Sequence, residues 1–246
     1  MGLLAIIGGS GFKSLPDLEL LDARQMETPY GATSAPVTRG RLGGEAVLFI
    51  PRHGPAHHLP PHRINYRANL WALRASGAEH VVGLAAVGGI TPSFGPTVLS
   101  VPDQVIDYTY GREHTLYDGA SGEVEHVDLT DPYCGALRQS LLEVCARNGH
   151  AVVDHGTYGA TQGPRLETAA EIRRYERDGC DIVGMTGMPE ASLARELGLC
   201  YASLAFVVNW AAGKSGSIIT MKEIEENLAL CVERVMSVLT AVAGAR

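Results

Sequence analysis

The chain has 246 residues, 46% hydrophobic and 19% charged, with 29 glycines and a formal net charge of -7. That length and apolar content support one α/β domain with a large core and exclude intrinsic disorder. The acidic balance argues against general binding to nucleic acid or to an anionic membrane, so a phosphate ligand would need cations gathered locally.

The five cysteines (Cys134, Cys145, Cys180, Cys200 and Cys231) are odd in number, scattered and without a CxxC pair. They are expected to be reduced, small core residues of a cytoplasmic protein. The N-terminal MGLLAIIGGSG lacks a basic region and a cleavage site and reads as a first strand. No window is expected to cross a membrane.

In chain order, Leu3 to Ile7 is an apolar strand ending in Gly8-Gly9-Ser10-Gly11. A dinucleotide fingerprint fails there, because Ser14 stands where the third glycine belongs. The loop still offers backbone N–H groups and the Ser10 hydroxyl to one phosphate, though an ordinary turn would look the same. Val37 to Arg41 and Glu45 to Ile50 flank Gly43-Gly44 as a hairpin, and the second strand runs into Pro51-Arg52-His53-Gly54. An Arg and a His at a strand end suit an anion clamp. His57, His58 and His62 follow, but Pro55, Pro60 and Pro61 forbid helical ligand spacing and no cysteine or carboxylate joins them, so no metal site is expected.

Ile64 to Ala75 is predicted helical and is stopped by Gly77; His80 to Val87 is a strand breaking into Gly88-Gly89. Leu99 to Tyr110 reads as a strand, Arg112 to Asp131 as a long surface loop, Pro132 to Asn148 as a helix and Ala151 to Ala160 as a strand. Thr168 with Glu171, and Thr220 with Glu223, are capping boxes opening two further helices. Between them, Asp181 to Gly213 reads as strand, helix from Pro189, and a strand from Cys200 to Val208 buried on both faces. The two strands are expected to be parallel and joined by the helix, so Met185-Thr186 and Asn209 should emerge side by side at the sheet edge where α/β folds place ligands.

The segments GGSGF, PRHG, NYRANLWAL, AVGGI, TQGPRLET, GMTGMPEA and VVNWAAG, in this order, resemble the methylthioadenosine/purine nucleoside phosphorylases over essentially the whole chain. The resemblance implies a single domain over residues 1–246, an α/β fold with a mixed central sheet flanked by helices. It also implies a cytoplasmic homotrimer acting in purine salvage, a pentosyltransferase that needs no cofactor because inorganic phosphate is a co-substrate. Phosphate would be held by Ser10, Arg52, His53, Thr186 and the backbone at Ala86. Ala85 falls in the same region, where relatives usually carry Asn or Thr. Met185 would meet the ribose, while Leu166, Glu167, Asn209 and Ala211 surround the purine and Trp210 could reshape that pocket. His126 matches a residue that reaches a neighbouring subunit's site, and Met221 falls at the 5′ substituent.

Phosphate attacking C1′ needs no protein nucleophile; an anion beside the developing ribosyl cation and a donor at the departing purine supply the electrostatics. Asn209 is the expected catalytic residue and the reader of the base. Its amide can donate to a 6-oxo group and accept from a protonated N7, whereas a 6-amino group would prefer a carboxylate. A mismatch leaves buried polar groups unpaired at ~1–3 kcal/mol each. Met221 and Ile224 offer apolar contact to a 5′-methylthio group, so the expected substrate is methylthioinosine. The competing readings are a general inosine/guanosine phosphorylase, a methylthioadenosine phosphorylase, a nucleosidase using Glu167 to activate water, a non-catalytic nucleoside sensor and, weakest, a dinucleotide-dependent reductase.

Overall fold

The computed structural model describes residues 2–117, 119, 122 and 124–245. The first half of the chain forms β1 (Leu3–Gly8), β2 (Glu19–Arg24), β3 (Val37–Leu42), β4 (Glu45–Pro51), α1 (Tyr66–Ala75), β5 (Ala78–Gly89), β6 (Leu99–Ser100) and β7 (Gln104–Asp107). The second half adds α2 (Gly135–Arg147), β8 (Val152–Val153), β9 (Thr157–Ala160), α3 (Ala169–Arg177), β10 (Ile182–Gly184), α4 (Gly187–Glu196), β11 (Cys200–Trp210) and α5 (Met221–Gly244).

One mixed sheet runs in the order β2-β3-β4-β1-β5-β10-β9-β7, with β11, β6 and β8 branching from β5. Strand alternation sorts the core into two layers. Leu4 and Ile6 of β1, with Val82 and Leu84 of β5, face buried residues of α2 and α5. Ala5, Ile7, Val81 and Ala85 face α1 and α4. Central β5 and β11 have apolar residues on both faces, so they read as near-continuous apolar runs.

The edge of β5 places the site. β1 pairs with β5 only as far as Ile7 with Gly83, and β10 takes up the same edge, antiparallel, at Gly88 and Gly89. Residues 84–87 therefore keep that edge free of a strand partner. Met185-Thr186, which follow β10, and Asn209, which pairs with Gly88 from β11, converge there. The predicted proximity holds, but its predicted cause does not: β10 runs antiparallel to β5 and β11 parallel to it, so the crossover does not join parallel strands.

Other expectations are corrected in detail. Leu99 to Tyr110 is split into β6 and β7 around Pro102, which cannot donate to a ladder, and Ala151 to Ala160 is split into β8 and β9 before Gly156, whose φ is 125°. The exposed edge strand β2, pairing antiparallel with β3, has no apolar alternation to announce it. Cys134 and Cys200 form a disulfide across 66 residues, so two of the five cysteines are not free thiols; Cys145, Cys180 and Cys231 are free and buried. α5 is long and apolar enough to cross a membrane, contrary to the expectation that no window is. Its buried residues, among them Cys231, Val235, Leu239 and Val242, instead belong to the core layer formed with β11 and α2.

Candidate active site

A cavity of about 480 Å³ opens over the free edge of β5. By strand alternation Ala86 presents its N–H on the same edge as the Leu84 carbonyl, which accepts from Arg52 Nη1 at 2.5 Å. Ala85 and Ala86 both line the cavity, and no side chain larger than a methyl intrudes from either position.

At one end the cavity is walled by Ser10, Arg52, His53 and Thr186. The loop after β1 lies directly over Arg52: a Cβ on Gly9 would come within 2.7 Å of Nη1 and of the Leu84 oxygen, so that position requires glycine. Arg52 is 1% exposed. Its fork does not point freely into the cavity as the sequence suggests. Nε and Nη2 are engaged by the two carboxylate oxygens of Glu190, at 2.7 and 2.8 Å. Burial opposes the guanidinium charge, but the Glu190 carboxylate outweighs it and raises the Arg52 pKa. Thr186 is the N-cap residue of α4 yet makes no side-chain cap bond; its buried side chain walls the cavity, with the Tyr158 hydroxyl beside both its N–H and its hydroxyl.

His53 has its pKa lowered from 6.5 to about 4, first by burial and then by the Arg52 charge, so the ring is neutral near pH 7. Nδ1 lies 2.8 Å from the Leu59 carbonyl, which can only accept. The proton therefore sits on Nδ1 and Nε2 is a bare acceptor. This shift couples to stability. Between pH 6.5 and about 4 the unfolded chain binds a proton at His53 that the folded protein refuses, so stability falls as pH is lowered through that window. His53→Gln should remove a component on the order of 3 kcal/mol from that fall. Urea unfolding of both proteins at several pH values checks this, and parallel pH profiles would contradict it.

The other end of the cavity is walled by Met185, Asn209, Ala211, Leu166 and Glu167. Asn209 is 6% exposed, and its Nδ2 donates to the Trp210 carbonyl at 2.7 Å, leaving Oδ1 and one N–H. Glu167 accepts from the Thr161 hydroxyl at 2.7 Å, and burial raises its pKa. Ile219, Met221, Ile224 and Leu228 form an apolar wall at the start of α5. Met221 and Ile224 were expected there; Ile219 and Leu228 were not, although Leu228 follows Ile224 by one helical turn.

Two predicted residues are not brought in. Asn209 and Ala211 point to the cavity, so Trp210 between them does not line it; its ring lies against Gly95 and it contributes its carbonyl to Asn209. His126 is exposed and does not line this cavity. His57 and His58 do line it, and among the described residues no group of His, Cys, Asp or Glu is placed to hold a metal ion.

Sequence reasoning missed two buried charges. Glu190 is 2% exposed and also accepts from the Tyr201 hydroxyl at 2.9 Å. Its signal was indirect: a buried Arg52 requires a carboxylate, and GMTGMPEA supplies one beside the Thr186 loop. Arg112, read as the first residue of a surface loop, is buried instead. It donates to the carbonyls of Thr161, Gln162, Met185 and Met188, to the Gln162 side chain and to Tyr66 Oη. It thereby stitches the loop leading to Glu167 to the loop carrying Met185 and Thr186.

The family model of the phosphorylase superfamily matches residues 3–243. The chain is 52% identical over 245 residues to a probable S-methyl-5′-thioinosine phosphorylase of Pseudomonas syringae pv. tomato, covering 100% of both chains. It is 44% identical to a 6-oxopurine nucleoside phosphorylase of Pyrococcus furiosus, covering 98% of this chain and 92% of that one. The fold is similar to methylthioadenosine phosphorylase from Schistosoma mansoni in complex with adenine, with a TM-score of 0.94, 32% identity, and coverage of 100% of this chain and 92% of that one. With a family match across almost its whole length and relatives above half identity, the chain belongs to the phosphorylase superfamily.

Proposed function

We propose that the protein catalyses phosphorolysis of a 6-oxopurine 5′-methylthionucleoside: S-methyl-5′-thioinosine and phosphate give hypoxanthine and 5-methylthioribose 1-phosphate. The observation that carries this reading is a buried amide, Asn209, at one end of a cavity whose α5 wall is wholly apolar. Asn209 can donate to O6 through its free N–H and accept from N7–H through Oδ1. A carboxylate is absent from Ala211, two residues on, where a 6-amino group would be served.

Phosphate would lie between Ser10, Thr186, the Ala86 N–H and the remaining N–H groups of Arg52. Neutral His53, with Nε2 bare, would accept from a phosphate hydroxyl. A phosphate oxygen bonds to C1′ as the glycosidic bond breaks, the electron pair leaves with the purine, and N7 takes up a proton from solvent; Asn209 Oδ1 accepts the hydrogen bond of that N7–H. The phosphate anion stabilises the developing ribosyl cation. Met185 packs on the ribose, and Leu166 and Glu167 border the base.

Assembly as a homotrimer, with His126 reaching a neighbour's site, belongs to the same proposal, as does a cytoplasmic setting without a membrane or nucleic-acid partner. These rest on the family resemblance and on the acidic net charge; the Cys134–Cys200 disulfide withdraws the support once sought from free thiols.

Hypoxanthine release from methylthioinosine should require phosphate and yield the sugar 1-phosphate. Equal release without phosphate would make the protein a hydrolase. One observation favours the general inosine/guanosine reading: His57 and His58 line the cavity and could meet a 5′-hydroxyl. The α5 wall separates the two. Met221→His should improve kcat/KM for inosine relative to methylthioinosine by about tenfold, ~1.4 kcal/mol, by adding a donor where only apolar surface stands. An unchanged ratio would place the 5′ substituent elsewhere.

A further inference from the structure

Among the described residues Arg52 is the one arginine that lines the cavity, and most of it is already in use. Of its five N–H donors, two are held by the Glu190 carboxylate and one by the Leu84 carbonyl. Glu190 is itself fixed from another side by Tyr201, which is 3% exposed and comes from β11. The packing around this group leaves no slack. A Cβ on Gly83 would lie 2.3 Å from the Tyr201 oxygen and 3.0 Å from Glu190 Oε2. Glu190 thus joins the end of β4, the segment carrying Thr186 and the start of β11 at one buried point.

The charge count follows. Arg52 contributes one positive charge and Glu190 cancels it, while His53 is neutral near pH 7 for the reasons given above. An anion therefore enters a cavity whose buried wall has a cation at its edge but no net cationic charge; the exposed Lys13, whose charge reaches His57, is not part of that wall. A buried arginine without a partner would be costly and would hold a dianion tightly. Paired, it has a fixed plane and a reduced pull. Such a site suits a turnover in which phosphate arrives and a sugar phosphate ester must leave, because oxyanion affinity common to both only slows release.

We infer that Glu190 is a positioning residue that fixes the Arg52 guanidinium toward the phosphate and, by cancelling its charge, sets a deliberately moderate affinity for inorganic phosphate and for the phosphorylated product. This rests on the reading that phosphate binds at the Ser10–Arg52–Thr186 end.

Glu190→Gln tests it, since the single amide oxygen can still accept from both Tyr201 and Arg52 Nη2 at the place of Oε2, while the charge and the acceptor for Arg52 Nε are lost. Inorganic phosphate binding to the folded variant is measured by calorimetry, beside steady-state kcat and KM for phosphate. Phosphate affinity should rise about tenfold while kcat falls at least tenfold, a split that loss of structural support alone would not give. Glu190→Asp, which keeps the charge, should leave phosphate affinity within about twofold of the parent. Unchanged or weaker phosphate binding in folded Glu190→Gln overturns the inference. If Glu190→Gln does not fold, Tyr201→Phe decides: it leaves Oε2 to Arg52 alone, so phosphate binding should weaken about threefold, and unchanged binding overturns the inference. Parent protein that binds no phosphate overturns the phosphate-site reading itself, a result distinct from either.

Discussion

Asn209→Asp should invert the base preference. In the proposed complex of the native protein, one amide N–H meets the O6 acceptor and Oδ1 meets N7–H. An ionised aspartate keeps the second contact and turns the first into two acceptors facing each other. Asn209 is 6% exposed, so water cannot rescue the mismatch. Each unpaired buried polar group costs ~1–3 kcal/mol, and with O6 and the variant's own oxygen both affected, kcat/KM for methylthioinosine should fall about a hundredfold. The 6-amino group of methylthioadenosine, a donor, gains an acceptor, and its kcat/KM should rise about tenfold. The gain is smaller than the loss because Asn209 Nδ2 also donates to the Trp210 carbonyl at 2.7 Å, and an aspartate leaves that carbonyl facing a carboxylate. Initial rates with the two substrates check this; a preference ratio within threefold of the parent's would contradict it.

Arg112→Met should cost at least ~4 kcal/mol of stability. The substitution is close in volume, so little of the loss would come from a cavity. It strands the carbonyls of Thr161, Gln162, Met185 and Met188, each now accepting from one guanidinium, and removes the contact of that group with the Tyr66 ring, whose centroid lies 5.5 Å away. Four stranded carbonyls at ~1–3 kcal/mol each amount to ~4–12 kcal/mol, of which waters entering at Gln162 offset part. For a chain of this size the midpoint of thermal unfolding should drop by about 10 °C. KM for the nucleoside should rise as well, since the loops of Met185 and of Glu167 lose their common anchor. Arg112→Lys, a point charge with three donors, should fall between the two. A midpoint shift below about 2 °C for Arg112→Met would show that the loops hold without it.

Much of this was legible in the sequence, for reasons that particular residues make clear. Strand cores such as Leu3 to Ile7 and Cys200 to Val208 announce themselves because both faces are buried, and the Thr168–Glu171 capping box because its hydrogen bonds are local. The cavity wall could be assembled from loops because each of Ser10, Arg52, His53, Thr186 and Asn209 ends or follows a strand. What stayed hidden is what depends on pairing. The direction of β10 against β5 is not written in three apolar residues, and β2 has no pattern at all. Burial of charge was equally hidden. Glu190 lies 138 residues from Arg52, and Arg112 meets carbonyls 49 to 76 residues away, so neither contact has a local spacing to read. Cys134 and Cys200 are a similar case, brought together by Cys134 N–H donating to the Tyr201 carbonyl. Trp210 failed for the opposite reason: the strand continues through Asn209, and alternation carries the next side chain to the other face.

The most direct test of the whole account is kcat/KM for phosphate-dependent base release from methylthioinosine, inosine and methylthioadenosine, assayed side by side on one preparation. Asn209 and the apolar α5 wall together predict methylthioinosine as the best of the three by at least tenfold, with inosine limited at its 5′ end and methylthioadenosine at its base. Inosine used as well as methylthioinosine would remove the 5′ half of the account and leave a general 6-oxopurine phosphorylase. Methylthioadenosine used best would contradict the reading of Asn209, on which the account chiefly stands.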